Sequence, residues 1–123
     1  MLLSNKALLP LLHQLFPKSP YLLPAAFEPL GNSYIQKPIL GREGANMHLV
    51  VDGEIVQETG GPYDGACVYQ EYYALPDFDG NFPVVGSWMV NGYACGIGIR
   101  EENTRITTNQ SRFVPHCFTT AME

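Results

Sequence analysis

Between Lys37 and Asn46 the chain reads KPILGREGAN, which sets a lysine, an arginine (Arg42), a glutamate (Glu43) and an asparagine (Asn46) around two glycines, Gly41 and Gly44. Backbone N–H groups left bare by glycine form a concavity suited to an anion, and a lysine on the preceding strand reaches the same anion as a point charge. A phosphate chain is the anion such a set would hold. On spacing alone, the commoner reading is a hairpin loop whose glycines satisfy backbone angles while Lys37 and Arg42 stay solvated. The loop matches neither GxxxxGK[ST] nor GxGxxG.

Other residues able to do chemistry are dispersed. Lys6 is a charge at the start of an apolar helical segment, where a lysine ordinarily snorkels to solvent. Gln70 and Glu71 are polar positions in the aromatic strand VYQEYY. Arg100 ends GIGIRE, and an Arg–Glu pair at a strand end contributes little to stability. His13 and His48 fall in a helix and a strand, where packing or surface roles are usual. No Ser/His/Asp or Cys/His arrangement is supported by spacing. Cys67, Cys95 and Cys117 are odd in number, widely spaced and free of any CxxC pair. They therefore read as reduced thiols, two of them inside strands, rather than a disulfide framework or zinc site.

These side chains must be positioned by one small domain. At 123 residues a single core is the expectation. With 46% hydrophobic and 15% charged residues the chain is globular, not disordered. The net charge is −5 and the seven basic residues are scattered, so no basic stripe advertises nucleic acid. The opening MLLSNKALLPLLHQLF is the most apolar segment, but Ser4, Asn5, Lys6 and His13 interrupt it. It lacks the roughly 20 apolar residues of a membrane span and the pattern of a signal peptide, which makes a cytoplasmic location the default.

Leu8, Leu11, Leu12 and Leu15 recur at helical spacing, predicting a helix capped by Ser4, ending near Phe16 and Pro17, and kinked at Pro10. Four prolines between Pro17 and Gly31 predict a turn-rich connector. The segments SYIQKPIL, MHLVV, EIVQET, ACVYQEYYAL, FPVVGSWMV and YACGIGIRE read as strands. Asp52–Gly53 and Asn91–Gly92 are type I′ hairpin signals. The tail from Asn103 onward has little periodicity and reads as loops with a short strand at most. Together these predict an α+β layer of five or six mainly antiparallel strands and one N-terminal helix.

Five segments in order, SNKALLPLLHQLFP, YIQKPILGREGAN, VYQEYY, VVGSWMVNGYACGIGIRE and NQSRFVPH, resemble the C-terminal part of the glutathionylspermidine synthase family. The likeness is strongest to its stand-alone synthase-like members, without the amidase domain. It implies that residues 1–123 are the C-terminal part of an ATP-grasp domain, an incomplete ATP-grasp fold in which ATP lies between two sheets beneath a glycine-rich lid. It implies ATP-dependent amide ligation through an acyl phosphate. Glutathione and spermidine, or another acid and amine, would be the substrates.

Residue by residue, the resemblance matches Lys6 and Lys37 to two lysines that contact nucleotide phosphates. It matches Gly41, Arg42, Glu43, Gly44, Ala45 and Asn46 to the phosphate-covering loop. Gln70, Glu71, Tyr72 and Tyr73 match the hinge strand at the adenine edge, and Arg100 matches the arginine near the transferring phosphate. Glu43 is the carboxylate that would face magnesium, an ion that prefers oxygen ligands bridged to phosphates. Arg112 and His116 belong to a motif of the stand-alone members whose role the sequence does not define. The family's principal magnesium ligands lie N-terminal to the matched region, so the chain reads as a fragment, split-gene product or subdomain, inactive without an N-terminal companion; the alternative is a non-catalytic nucleotide-binding module, or a truncated remnant whose sheet edges make it an interaction domain.

Overall fold

The computed structural model describes residues 4–119. They form α1 (Leu8–Leu15), β1 (Ala25–Ala26), β2 (Tyr34–Pro38), β3 (His48–Val51), β4 (Glu54–Glu58), β5 (Cys67–Glu71), β6 (Phe82–Val90), β7 (Tyr93–Glu102) and β8 (Arg112–Val114). Every pairing between named strands is antiparallel, and the class is α+β as expected. Two sheets, not one layer, result: five strands in the order β1-β5-β2-β3-β4, and three in the order β6-β7-β8. They fall in two compact units, Met1–Ala74 and Leu75–Glu123, where the chain length suggested a single core.

The helix spans the leucine pattern, Leu8–Leu15, but begins later than a cap at Ser4 would set it. Ala7 is its N-cap residue and makes no side-chain cap. The Asn5 carboxamide oxygen, rather than Ser4, accepts an N–H there, from Ala7 at 2.9 Å. The cause is tertiary, because the Lys6 N–H donates to Ile39 O at 2.9 Å and ties the chain to the sheet before the helix can start. Pro10 consequently lies in the first turn, whose N–H groups lack intrahelical acceptors anyway, and it removes no helical bond.

In the first unit β2 is the central strand, flanked by β3 and β5. Because cross-strand partners share a face, the registers Lys37↔Val68, Ile35↔Gln70, Ile35↔Leu49 and Ala25↔Gln70 put Ala25, Ile35, Lys37, Leu49, Val68 and Gln70 on one face. Leu49 and Val68 have no exposed surface, and Ala25 is buried, so this is the core face. The opposite face carries Tyr34 and Tyr69, packed edge-to-face at 5.5 Å. Asp52 and Gly53 both have positive φ, as the type I′ turn between β3 and β4 requires.

In the second unit the long β6–β7 hairpin turns at Asn91–Gly92, again with positive φ at both residues, and β8 adds to β7. Ser111, Arg112 and Phe113 set β8 in place. Ser111 Oγ donates to Glu102 at 2.6 Å, and Arg112 donates to Asn81 at 2.8 Å and Asn103 at 3.1 Å while pairing with Glu101 at 3.3 Å. Arg112 is thus a clamp holding β8 to the turn before β6, which gives it a structural role. The His116 ring meets Phe118 edge-on at 5.8 Å. Cys67 and Cys95 lie in strands and all three cysteines are free thiols; residues 120–123, the end of the tail, lie outside the described residues.

Leu49→Ala should cost about 2–5 kcal/mol, the range for emptying a closed aliphatic site, measured by urea unfolding of the first unit's core. A cost below about 1 kcal/mol would mean that this sheet face is not closed.

Candidate functional site

The loop of residues 39–47 joins β2 to β3, and the loop of residues 59–66 leaves β4 and returns to β5 at the same end of the sheet. The two loops are bonded along their length. Thr59 Oγ1 donates to Gly44 O at 2.5 Å and accepts the Met47 N–H at 2.9 Å, and the Thr59 N–H donates to Met47 O at 3.0 Å. Asn46 gives its N–H to Gly60 O at 3.3 Å and takes the Tyr63 N–H on Oδ1 at 2.9 Å. The side chain of Asn46 therefore pins the loop. Gly61 permits the close approach, since a Cβ there would lie 2.5 Å from Asn46 Oδ1 and 2.6 Å from Ala45 Cβ.

Loop ends left unpinned would carry no fixed charge; these place three cations together. Lys37 rises from the core face of β2 and its Nζ donates to Gln70 Oε1 at 2.6 Å. Burial holds its pKa below the usual lysine value, and the nearby Lys6 ammonium lowers it further. Lys6, held by its N–H on Ile39 O, donates its Nζ to Gly41 O. Its pKa is also lowered, by burial first and then by the Arg42 guanidinium. Lys6 and Arg42 line an open cleft of about 360 Å³ with Ser4, Asn5, Leu8 and Leu9. The acceptors the ammonium groups find are a neutral amide and a carbonyl. An anion entering this cleft relieves cation–cation repulsion and replaces lost hydration in one step.

The loop backbone adds donors. Gly41 N–H and Ala45 N–H are used within the loop, on Pro38 O and Arg42 O, whereas the N–H groups of Arg42 and Gly44 donate to no acceptor among the described residues. Glu43, Gly44 and Asn46 have positive φ, so the loop folds back on itself.

Of the residues singled out in the sequence, the structure brings together Lys6, Lys37, Gly41, Arg42 and Gln70, with Gly44, Ala45 and Asn46 in the pinned loop. It separates others. Glu71 stands opposite Tyr34, so its side chain lies on the face away from Gln70 and Lys37. Tyr72 and Tyr73 follow the end of β5. Arg100 belongs to β7 of the second unit. Glu43 stands in no group of three or more His, Cys, Asp or Glu side chains placed to hold a metal, and no such group occurs among the described residues. The described side chains thus do not by themselves compose a magnesium cage.

With this geometry in view, likeness to known proteins becomes informative. The model of the family described as glutathionylspermidine synthase preATP-grasp matches residues 1–119. The chain belongs to the glutathionylspermidine synthase family. A relative named "Putative acid--amine ligase" from Haemophilus influenzae is 43% identical over 96% of this chain and 33% of its own length. The trypanothione synthetase of Crithidia fasciculata is 36% identical over 89% of the chain and 18% of its own length. The bifunctional glutathionylspermidine synthetase/amidase of Escherichia coli is 34% identical over 91% of the chain and 19% of its own length. The chain therefore spans a third or less of these relatives. No helix among the described residues is long and apolar enough to cross a membrane.

Sequence reasoning missed Thr59, Gly61 and Tyr63, the residues packed on or bonded to the loop of residues 39–47. The GGPYDG stretch reads only as a turn, and nothing in its spacing shows that it meets a segment fifteen residues earlier, Thr59 to Gly44.

Two outcomes test this site. Gly61→Ala should free the loop of residues 39–47, seen as at least several-fold faster amide exchange at Met47 and Tyr63 with strand amides unchanged, because the added Cβ displaces the Asn46 contact. Lys37→Met should raise the melting temperature at neutral pH. The folded pKa of Lys37 lies below its unfolded value of 10.5, so the unfolded chain binds the extra proton between the two. The penalty is whole below the folded pKa and gone above the unfolded one, and the advantage of the Met variant should fade as pH rises toward 10.5.

Proposed function

We propose that this chain is the nucleotide-phosphate-binding portion of an ATP-dependent acid–amine ligase with an ATP-grasp fold. The observation that carries the reading is the convergence of Lys6, Lys37 and Arg42 beside a pinned loop with bare amides. Burial and mutual repulsion hold the pKa of both lysines below the usual value, and an anion beside them would offset both effects. A triphosphate supplies several negative oxygens at once, and charge-assisted bonds to it are about twice as strong as neutral ones.

In the reaction of such a ligase, a carboxylate oxygen attacks the γ-phosphorus of ATP. The bond to the β–γ bridging oxygen breaks, and ADP leaves with that electron pair. The amine nitrogen then attacks the acyl carbon, loses its proton, and expels phosphate as the C–O bond breaks. In this reading Lys37 and Lys6 hold the phosphates, the loop of residues 41–46 covers them, and Gln70 keeps the Lys37 ammonium aimed. Residues Gln70 to Tyr73 border the adenine, Glu71 through its backbone. Arg100 neutralises charge on the transferring group, for which its planar fork is suited. Magnesium would enter with the nucleotide, with Glu43 beside it. Glutathione and spermidine, or a related acid and amine, are the substrates the relatives' names suggest. Because the chain spans a third or less of those relatives, we assign turnover to the longer assembly and phosphate binding to this part.

Calorimetric titration with Mg-ATP tests the assignment. Wild-type chain should show saturable binding, and Lys37→Ala should weaken it about tenfold or more, as loss of a charged hydrogen bond of about 1.5–3 kcal/mol requires. Unchanged affinity would remove Lys37 from the phosphate site. Affinity should also fall as pH rises through the lowered lysine pKa values, below 10.5, since the triphosphate binds the protonated amines. Phosphate release with glutathione and spermidine, with and without the N-terminal portion of a relative, then separates ligase from binder.

A further inference from the structure

The outer side of β6 is the longest open strand edge among the described residues. β6 stands at the margin of the order β6-β7-β8, and no described segment pairs with its far side. Its sequence, FPVVGSWMV, holds no charge, and Pro83 near the start is its single residue unable to donate to a neighbouring strand. From Val84 to Val90, every second residue therefore turns a bare N–H and C=O outward. Side chains along the edge are exposed too, Val85 at 62% and Met89 at 59%. Val85 and Met89 share the face opposite Arg100, since Arg100 is registered with Val84 and side chains alternate along the strand. The cleft of about 390 Å³ on the Arg100 face, lined by Gly86, Trp88, Gly98 and Phe113, is left to the reaction assigned to Arg100; the edge of β6 is a separate surface.

The other edges are guarded. β4 carries Glu54 and Glu58 at its ends, and its ladder breaks at Val56, where Leu49 faces Gln57 and Val50 faces Ile55. β1 has two residues and β8 three, with Arg112 among them. On the far side of β7, the stretch that β8 leaves open holds the extra residue Cys95, between the pairs Trp88↔Gly96 and Met89↔Ala94. Charges, bulges and short length are the usual means of blunting an edge, and an uncharged strand without them is a ready template for another strand. The β6–β7 hairpin also lacks support of its own. β8 pairs only with Ile99–Glu101, so the distal half of the hairpin is a two-stranded ribbon, which is marginal in water without a third strand.

We propose that the free edge of β6 accepts an extended strand from the portion of the ligase that lies outside this chain. Backbone hydrogen bonds continue the sheet, and alternate apolar side chains of the added strand sit beside Val85 and Met89. The length of the relatives argues for this occupant, because the chain covers 33% of the Haemophilus influenzae protein and leaves about two thirds of it unmatched. A second copy of this chain is the weaker candidate: it brings another net charge of −5 and none of the unmatched length. The proposal rests on the part of the ligase reading that assigns turnover to a longer assembly, and not on the phosphate site.

Amide exchange of the isotope-labelled full chain reads the edge directly. In the dilute chain alone, alternate amides from Val84 to Val90 should exchange about tenfold or more faster than those of β2, which is paired on both sides. Protection of all of them there would overturn the proposal with no partner or variant involved. Adding the part of the Haemophilus influenzae relative that this chain does not match, or joining the chain to that part in place of the relative's own matching third, should slow the open amides about tenfold or more. Val85→Lys puts a charge on the edge at an exposed position, so the variant should fold as the wild type does and associate about tenfold more weakly or worse. Edge amides that stay fast in both the mixture and the joined polypeptide sink the proposal. So does slowing that appears only as this chain alone is concentrated, which would put a second copy on the edge. Calorimetry with Mg-ATP reads the first unit separately: Mg-ATP binding with an open β6 edge keeps the phosphate reading and loses this one, and a covered edge without Mg-ATP binding does the reverse.

Discussion

A lysine on the core face of a small sheet is the constraint around which the first unit is arranged. Lys37 shares its face with Leu49 and Val68, neither of which has any exposed surface. Its ammonium loses hydration there and must be supplied with acceptors. Gln70, on the adjacent strand and the same face, provides one. Lys6, fixed by its own backbone bond to Ile39, adds a second cation that lowers the Lys37 pKa further. Such an arrangement opposes folding stability and favours an incoming anion, which is how binding sites commonly trade one for the other.

Rigidity of the surrounding loop follows from contacts remote in sequence. Residues 44–47 of the loop would lose their fixed partners if the chain ended at β4, because Thr59, Gly60 and Tyr63 supply them. Gly61 is required by proximity rather than by conformation, since an added methyl group would overlap Ala45 and Asn46. Asn46 thus holds the loop still. A preorganised loop keeps its amides aimed without an entropic cost at the moment of binding.

The second unit uses a different device. Its sheet gains a recess by omission, with glycines opposite one another where side chains would otherwise fill the face. The residues of SRFVPH divide the labour around it: Ser111 secures Glu102, Arg112 clamps the turn before β6, and Phe113 becomes a wall. The Ser111 hydroxyl, bonded to Glu102, is the chief cause holding that carboxyl below its usual pKa.

Local chemistry was legible from the residues alone. The hairpin turns at Asp52–Gly53 and Asn91–Gly92 and the positions of the strands follow from backbone preferences and period-two patterning, which act over a few residues. The family motifs were equally legible, and they led to Lys6, Lys37 and the glycine loop. Tertiary structure decided the rest. It placed Gln70 with Lys37 and turned Glu71 away, a matter of strand register that no single strand encodes. It moved the helix start to Ala7 through a bond from Lys6 to Ile39, thirty-three residues on. It split one expected layer into two sheets, and it made a recess of Gly86 and Gly98, glycines whose meaning appears only when their strands lie side by side.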